Sequence, residues 1–388
     1  MPAGLSKENL PRRDMKRLDR RRAEAILFLL FFFAFFGILG RFMGVQNMIS
    51  TMMKTAYALL IDTVLYIMAV SVLAGALGRL LIEFGVVRLL EGVLAPFMKP
   101  LFNLPGVASL GGLMTFFSDN PAIISLVNDR NFSSYFKKYQ LISLTNFGTA
   151  FGMGLVVISF MIGKGFVIAA VVGFFGAVFG AMVSTRIMQK MIKGKVEEDE
   201  VLPANGDEDR ISFRSRGSVF LRFINSILDG GKSGVDLGLA IIPGVLIIST
   251  LIMMITFGQP AGGYTGGAFE GVPLLPRIAG FFGWLFKALF GFHSPEAIAF
   301  PMTSLGAVGA ALSLIPTFMA KGMAGGNEIA VFTAMGMCWS GYLSTHTAML
   351  DALKHRELTS KALLAHTAGG IAAGVFAHYA YLLVSWLF

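Results

Sequence analysis

Polar residues along this chain come in short clusters between long apolar runs, and the lengths of those runs predict helices that cross a bilayer. Runs near 25–45, 55–78, 138–162, 164–186, 236–257, 327–350 and 361–386 are each long enough to span roughly 30 Å of hydrocarbon at the helical rise. Two more, 106–128 and 295–316, have the length but are interrupted by polar residues, glycine and proline. Each reads either as a span or as a re-entrant hairpin.

The distribution of basic residues separates these readings, because lysine and arginine concentrate on the cytoplasmic side of a membrane protein. With both interrupted runs as hairpins, 26 of the 32 Lys and Arg residues fall in cytoplasmic segments. With both as spans, only 17 do, and the basic stretch after Arg186 is forced outward. The hairpin reading gives an order of elements that occurs twice: a span, a charged amphipathic stretch (79–104, then 273–292), a hairpin and two spans. An odd number of spans separates the two series, so the second runs upside down relative to the first. The predicted fold is an all-α polytopic membrane protein with inverted-topology repeats, each with a re-entrant helical hairpin and an interfacial amphipathic helix. Its divisions are a basic N-terminus (1–24), an N-terminal membrane helix (25–45), a first repeat (50–186), a polar linker (187–232) and a second repeat (233–388).

Composition agrees with this picture. The 388 residues are 55% hydrophobic and only 14% charged, outside the range of soluble domains of this size. The net charge of +9 needs no nucleic-acid partner, because the Arg12 to Arg22 cluster directly precedes the first apolar run and reads as a signal anchor. That places the N-terminus in the cytoplasm and the C-terminus outside the cell membrane. Cys338 is the single cysteine, so neither an internal disulfide nor a cysteine metal site is available; no metal or cofactor is expected.

Candidate chemistry lies where polar groups interrupt the runs. In Ser118-Asp119-Asn120-Pro121 the proline disfavours helix at Asn120 and suits the first turn of a new one, so the hairpin should break at 118–120 and restart at 121. Half-helix ends at membrane depth can hold a polar solute. Thr145, Asn146 and Thr149, followed by glycines, suggest an unwound segment or close helix packing. Thr333, Ser340, Ser344, Thr347 and Asp351 recur at helical spacing beside Trp339, Tyr342 and His346, and Thr345 adds a further hydroxyl; this face should line a cavity. Thr303 and Ser304 sit near the expected tip of the second hairpin. Asp62 and Glu296 are carboxylates that could couple to Na+ or H+. No recognisable nucleophile and base, P-loop or metalloprotease motif is present, so an enzyme is not expected.

The segments Phe116-Phe117-Ser118-Asp119-Asn120-Pro121-Ala122-Ile123, Thr145-Asn146-Phe147-Gly148-Thr149 and Met337-Cys338-Trp339-Ser340-Gly341-Tyr342-Leu343-Ser344-Thr345-His346 resemble the nucleoside-recognition, or Gate, domain membrane proteins. That group is distantly similar to concentrative nucleoside transporters. The resemblance implies paired Gate regions and a transporter fold for a small polar solute, with nucleoside-like molecules as the analogy. The wider group includes ferrous-iron permeases, whose paired intramembrane cysteines and GTP-binding domain are lacking here. It also includes spore-maturation proteins, which suggest the alternative of a non-transporting scaffold or sensor. The amphipathic arms are compatible with a homo-oligomer in the bilayer.

Overall fold

The computed structural model describes residues 12–118, 121–194, 196 and 217–387, with side chains except at 12–20, 121, 130 and 131. Helix α1 (Arg12–Met43) runs into α2 (Val45–Ala58) after a turn at Gly44, and α2 continues through a π-helical turn (Leu59–Val64) into α3 (Leu65–Glu83). Next come α4 (Val86–Phe102), a hairpin of α5 (Ala108–Phe117) and α6 (Pro121–Asn128), and the short α7 (Arg130–Ser133). A helix broken into α8 (Lys138–Thr149) and α9 (Gly154–Gly163) precedes the unbroken α10 (Val167–Ile192). The second series begins with α11 (Val219–Pro243), a π-helical turn (Gly244–Ser249) and α12 (Thr250–Thr256). It continues through α13 (Leu274–Phe281) and α14 (Gly283–Phe290) to a hairpin whose first arm is a 3-10 turn (Pro295–Ile298) plus α15 (Ala299–Ser304). The second arm is α16 (Val308–Leu312) and α17 (Ile315–Ala320); then come the broken pair α18 (Gly326–Cys338) and α19 (Ser344–Ala352), and finally α20 (Thr359–Leu387). No strand occurs among the described residues, and this is an all-α polytopic membrane fold.

Corresponding helices of the two series run antiparallel where they touch. Gly176 meets Ala373 and Ala377, whereas Gly180 meets Gly369 and Ala373, so α10 and α20 run in opposite directions. Small residues let these backbones approach closely, which is how helices associate in lipid, where apolar burial gives little drive. The same holds at the other crossing: Gly230 abuts Gly75, Gly234 abuts Ser71 and Gly238 abuts Met68. Arg222 closes this crossing with a 2.7 Å bond from Nε to the Glu83 carboxylate.

Six described helices are long and apolar enough to cross a membrane, against seven expected. The difference is the run 327–350, which is broken at 339–343 rather than continuous. Gly341 sits there at φ 65, a left-handed conformation that ends the helical path and suits glycine. The predicted helical face is therefore divided. Thr333 stays on α18, buried against Gly173 and bonded to the Ile329 carbonyl, while Ser344 and Thr347 begin a new axis.

Boundaries also shift where charges occur inside helices. Arg79 and Glu83 belong to α3 rather than to the amphipathic arm, and residues 219–232, expected in the linker, form the first part of α11. The arms themselves are α4 and α13–α14. Leu89, Val93 and Phe97 make an exposed stripe along α4, as a helix lying at an apolar–polar boundary would show. Helix α1 exposes Phe28, Phe31 and Phe33 and packs only near its end, through Leu39 and Met43 against Met48, Met254 and Val272.

Candidate functional site

Two broken helices and two hairpin tips carry the candidate residues toward α11. The first hairpin turns after Phe117, and α6 starts at Pro121, as the proline requires. Ser118 is exposed, with φ −124 and ψ −104, and lines a cavity of about 740 Å³; Asp119 and Asn120 lie outside the described residues. Gly78 on α3 leaves room for the Phe117 carbonyl, which seats this hairpin against the α3–α11 crossing.

A second cavity of about 430 Å³ lies where the elements converge. Its wall takes Ile124 from the first hairpin, Met153 from the α8–α9 break, Gly306 and Ala307 from the second hairpin tip, and Ser340 and Gly341 from the α18–α19 break. Ser344 and Thr345 add hydroxyls from α19, and Ile241, Gly244 and Ile248 close it from α11 and its π-helical turn. Leu237 and Ala240 line both cavities, so the two adjoin along one face of α11. The second tip is 305–307, so Thr303 and Ser304 lie just inside the arm, buried and bonded back to Ala299 and Pro301 carbonyls. Those hydroxyls are committed to their own helix.

Behind the smaller cavity lies a buried polar network that holds the broken helices in register. Asn146 donates to the Ser184 hydroxyl and to the Ala362 carbonyl, each at 2.9 Å. Ser184 is bonded to His366 Nδ1 at 2.9 Å, and His366 Nε2 is bonded to the Cys338 carbonyl, the last residue of α18. The Cys338 carbonyl can only accept, so Nε2 carries a proton and donates to it. A carbonyl freed by the helix break thereby finds a partner. Trp339 Nε1 bonds the His366 carbonyl, packed against Gly370, and the Tyr342 hydroxyl meets Thr367 at 2.6 Å. Trp339 and Tyr342, expected beside a cavity-lining face, thus bond to α20.

His346 donates from Nδ1 to the Tyr342 carbonyl at 2.6 Å, and its ring lies 4.5 Å from that of His366. His346 Nε2, Asn146 Oδ1 and Thr145 Oγ1 are buried without a hydrogen-bond partner among the described residues. Thr149 bonds back to the Thr145 carbonyl. Of the sequence candidates, then, Ser118, Ser340, Ser344 and Thr345 face cavities, whereas Thr145, Asn146, Thr149, Trp339 and His346 form the support behind them.

Asp62 and Glu296 line neither cavity. Among the described residues the cavity carboxylates are Asp229 and Asp236 on α11, accompanied by Lys232 and by Arg79 from α3. Asp229 and Lys232 fall outside the run 236–257 read from the sequence, and Asp236 stands at its edge. Their spacing of three and four residues beside an apolar run was the available signal. No group of three or more His, Cys, Asp or Glu side chains among the described residues could hold a metal.

No protein family matches the chain by sequence, and neither does any curated protein. Solved structures do. A variant of the transporter CNTnw in an intermediate state aligns over 95% of this chain and 87% of its own, with TM-score 0.50 and 15% identity. The fold is distantly that of a concentrative nucleoside transporter. CNTnw in an inward-facing, substrate-bound state aligns over 81% of this chain and 74% of its own at 16% identity and TM-score 0.49. An outward-facing variant aligns over 95% and 86% at 15% and 0.49.

Proposed function

We propose that this protein is a secondary transporter that moves a small polar solute across the cell membrane by alternating access. The observation that carries the reading is the convergence of the second hairpin tip, the α6 arm of the first hairpin and two helix breaks on one cavity beside α11, with Ser340, Ser344 and Thr345 in its wall. Broken helices at membrane depth leave backbone groups that need polar partners, and transporters use such ends to hold solutes. The two series of helices then supply a moving part, the hairpins with α8–α9 and α18–α19, and a frame, the crossed α3 and α11. The N-terminus is placed in the cytoplasm and the C-terminus outside, following the basic residues. Nucleoside-like solutes are the first class to try, by analogy with the transporters whose fold is shared.

Uptake into proteoliposomes tests this reading. A panel of nucleosides, amino acids and short peptides should give saturable flux for at least one member, reduced about tenfold or more by Ser340→Val. Specific binding of a panel member by verified folded protein, with no flux of any solute, would make the chain a sensor instead.

A further inference from the structure

Among the described residues the larger cavity is lined by four charged side chains of both signs, and none of them is paired. Asp229, Lys232 and Asp236 stand three and four residues apart on α11 and share one face, while Arg79 faces them from α3. All four are exposed, and their side chains make no ion pair or hydrogen bond among the described residues. Around them the wall carries apolar Met114, Phe117, Leu155 and Val156 together with Ser71, Ser118 and Ser233.

Their place makes this unusual. Asp229, Lys232 and Asp236 belong to a helix that runs without a gap from Val219 to Thr256, and Asp236 directly precedes its uncharged apolar part. An ionisable group beside an apolar membrane run is costly unless it has a partner or faces water, and there it marks a solute path. A funnel for ions of one sign would carry one sign of charge. A latch internal to the protein would show Asp236 or Asp229 bonded to Lys232 or Arg79. Open charges of both signs around a cavity of about 740 Å³ instead complement a molecule that carries both.

We propose that this cavity is a binding chamber for a small zwitterionic solute, its cationic group held by Asp236 and Asp229 and its anionic group by Lys232 and Arg79. Lys232 and Asp236 differ by four residues, about 6 Å along the helix axis, which suits the roughly 7 Å span of an extended dipeptide. Phe117 supplies a ring face for the cationic group. Past Asp236 the same helix face enters the hydroxyl-lined cavity through Leu237 and Ala240. The assignment rests on reading the two cavities as one solute path.

The test reads binding and not flux, so it can fail independently of transport. Purified full-length protein in detergent is melted with alanine, γ-aminobutyrate or dialanine, and with dialanine blocked at its amine, at its carboxylate or at both. Uridine serves as the neutral nucleoside. At least one zwitterion should raise the melting temperature with an apparent affinity about tenfold or more above its blocked forms. Asp236→Asn should weaken amine-bearing ligands and Lys232→Gln carboxylate-bearing ones, each by about tenfold, with the ligand-free melts still cooperative. No shift with any zwitterion in a cooperatively melting protein would overturn the assignment, as would equal stabilisation by the doubly blocked dipeptide. Stabilisation by uridine alone would leave the transport reading standing and remove the zwitterion.

Discussion

His366 shows how much of this molecule depends on single side chains far apart in sequence. It joins Ser184 on α10 to the freed Cys338 carbonyl of α18, and so fixes the break whose hydroxyls face the smaller cavity. Replacing it with phenylalanine removes both links and leaves the Cys338 carbonyl and the Ser184 hydroxyl short of partners. The expected loss is about 2–4 kcal/mol, read by thermal denaturation, with His366→Gln recovering part of it. Gly341→Ala should cost about 1–2 kcal/mol in the same assay, because the left-handed backbone at φ 65 disfavours a Cβ. The proline-led restart at Pro121 was legible in sequence, since a helix breaker shows locally; the partners of Asn146, on α10 and α20, were not. The role of Trp339 was not, because its partner is a carbonyl of α20, 27 residues on, and only packing brings the two together.

At the scale of helices, the antiparallel crossing of α3 and α11 is the contact on which the frame depends. Gly75 and Gly230 bring the two backbones together, so Gly75→Leu would push them apart and should lower the yield of folded, monodisperse protein in detergent. The Glu83–Arg222 bond ties the ends of the same helices; Glu83→Gln should cost about 1–2 kcal/mol by thermal melt. A second tie lies in the loop after α12, where Glu270 accepts bonds from the amides of Thr265, Gly266 and Gly267 and from the Thr265 hydroxyl. The loop docks on α2 through Asn47, Ser50 and Thr55. Burial pushes the Glu270 carboxyl up, but the Thr265 hydroxyl and the three amides outweigh it and hold its pKa below the ordinary 4.5. A lowered pKa means the folded state favours the ionised form, so this stabilisation is full above pH 4.5 and is lost as pH falls further. Melting temperature should fall more steeply below pH 4.5 in wild type than in Glu270→Gln, which has already lost the charge. The hairpins were legible because interrupted apolar runs and the basic-residue distribution both point to them. The glycines after Thr149 likewise point to the α8–α9 break, whereas the 3-10 and π-helical segments and the α18–α19 break were not legible, since nothing in residue spacing separates a continuous helix from one interrupted by tertiary packing. The apolar run read from the sequence starts at 236, whereas α11 starts at Val219, so Asp229 and Lys232 stand on the same helix as that run.

At the scale of the whole molecule, two series of helices with the same order pack antiparallel wherever equivalents meet, and they enclose two adjoining cavities along α11. Gly244 lies 3.4 Å from the Ala307 side chain when a Cβ is placed on it, so the second hairpin tip rests directly on the frame. Motion of the hairpins against α11 would open the shared wall, at Leu237 and Ala240, first to one face of the membrane and then to the other. The direct measurement is the accessibility of Ala240→Cys, in a Cys338→Ser background, to a membrane-impermeant maleimide added to right-side-out or inside-out vesicles. Alternating access predicts labelling from both faces, with one face lost when cysteines at positions 244 and 307 are cross-linked and restored on reduction. Labelling from a single face, unchanged by that cross-link, would contradict it.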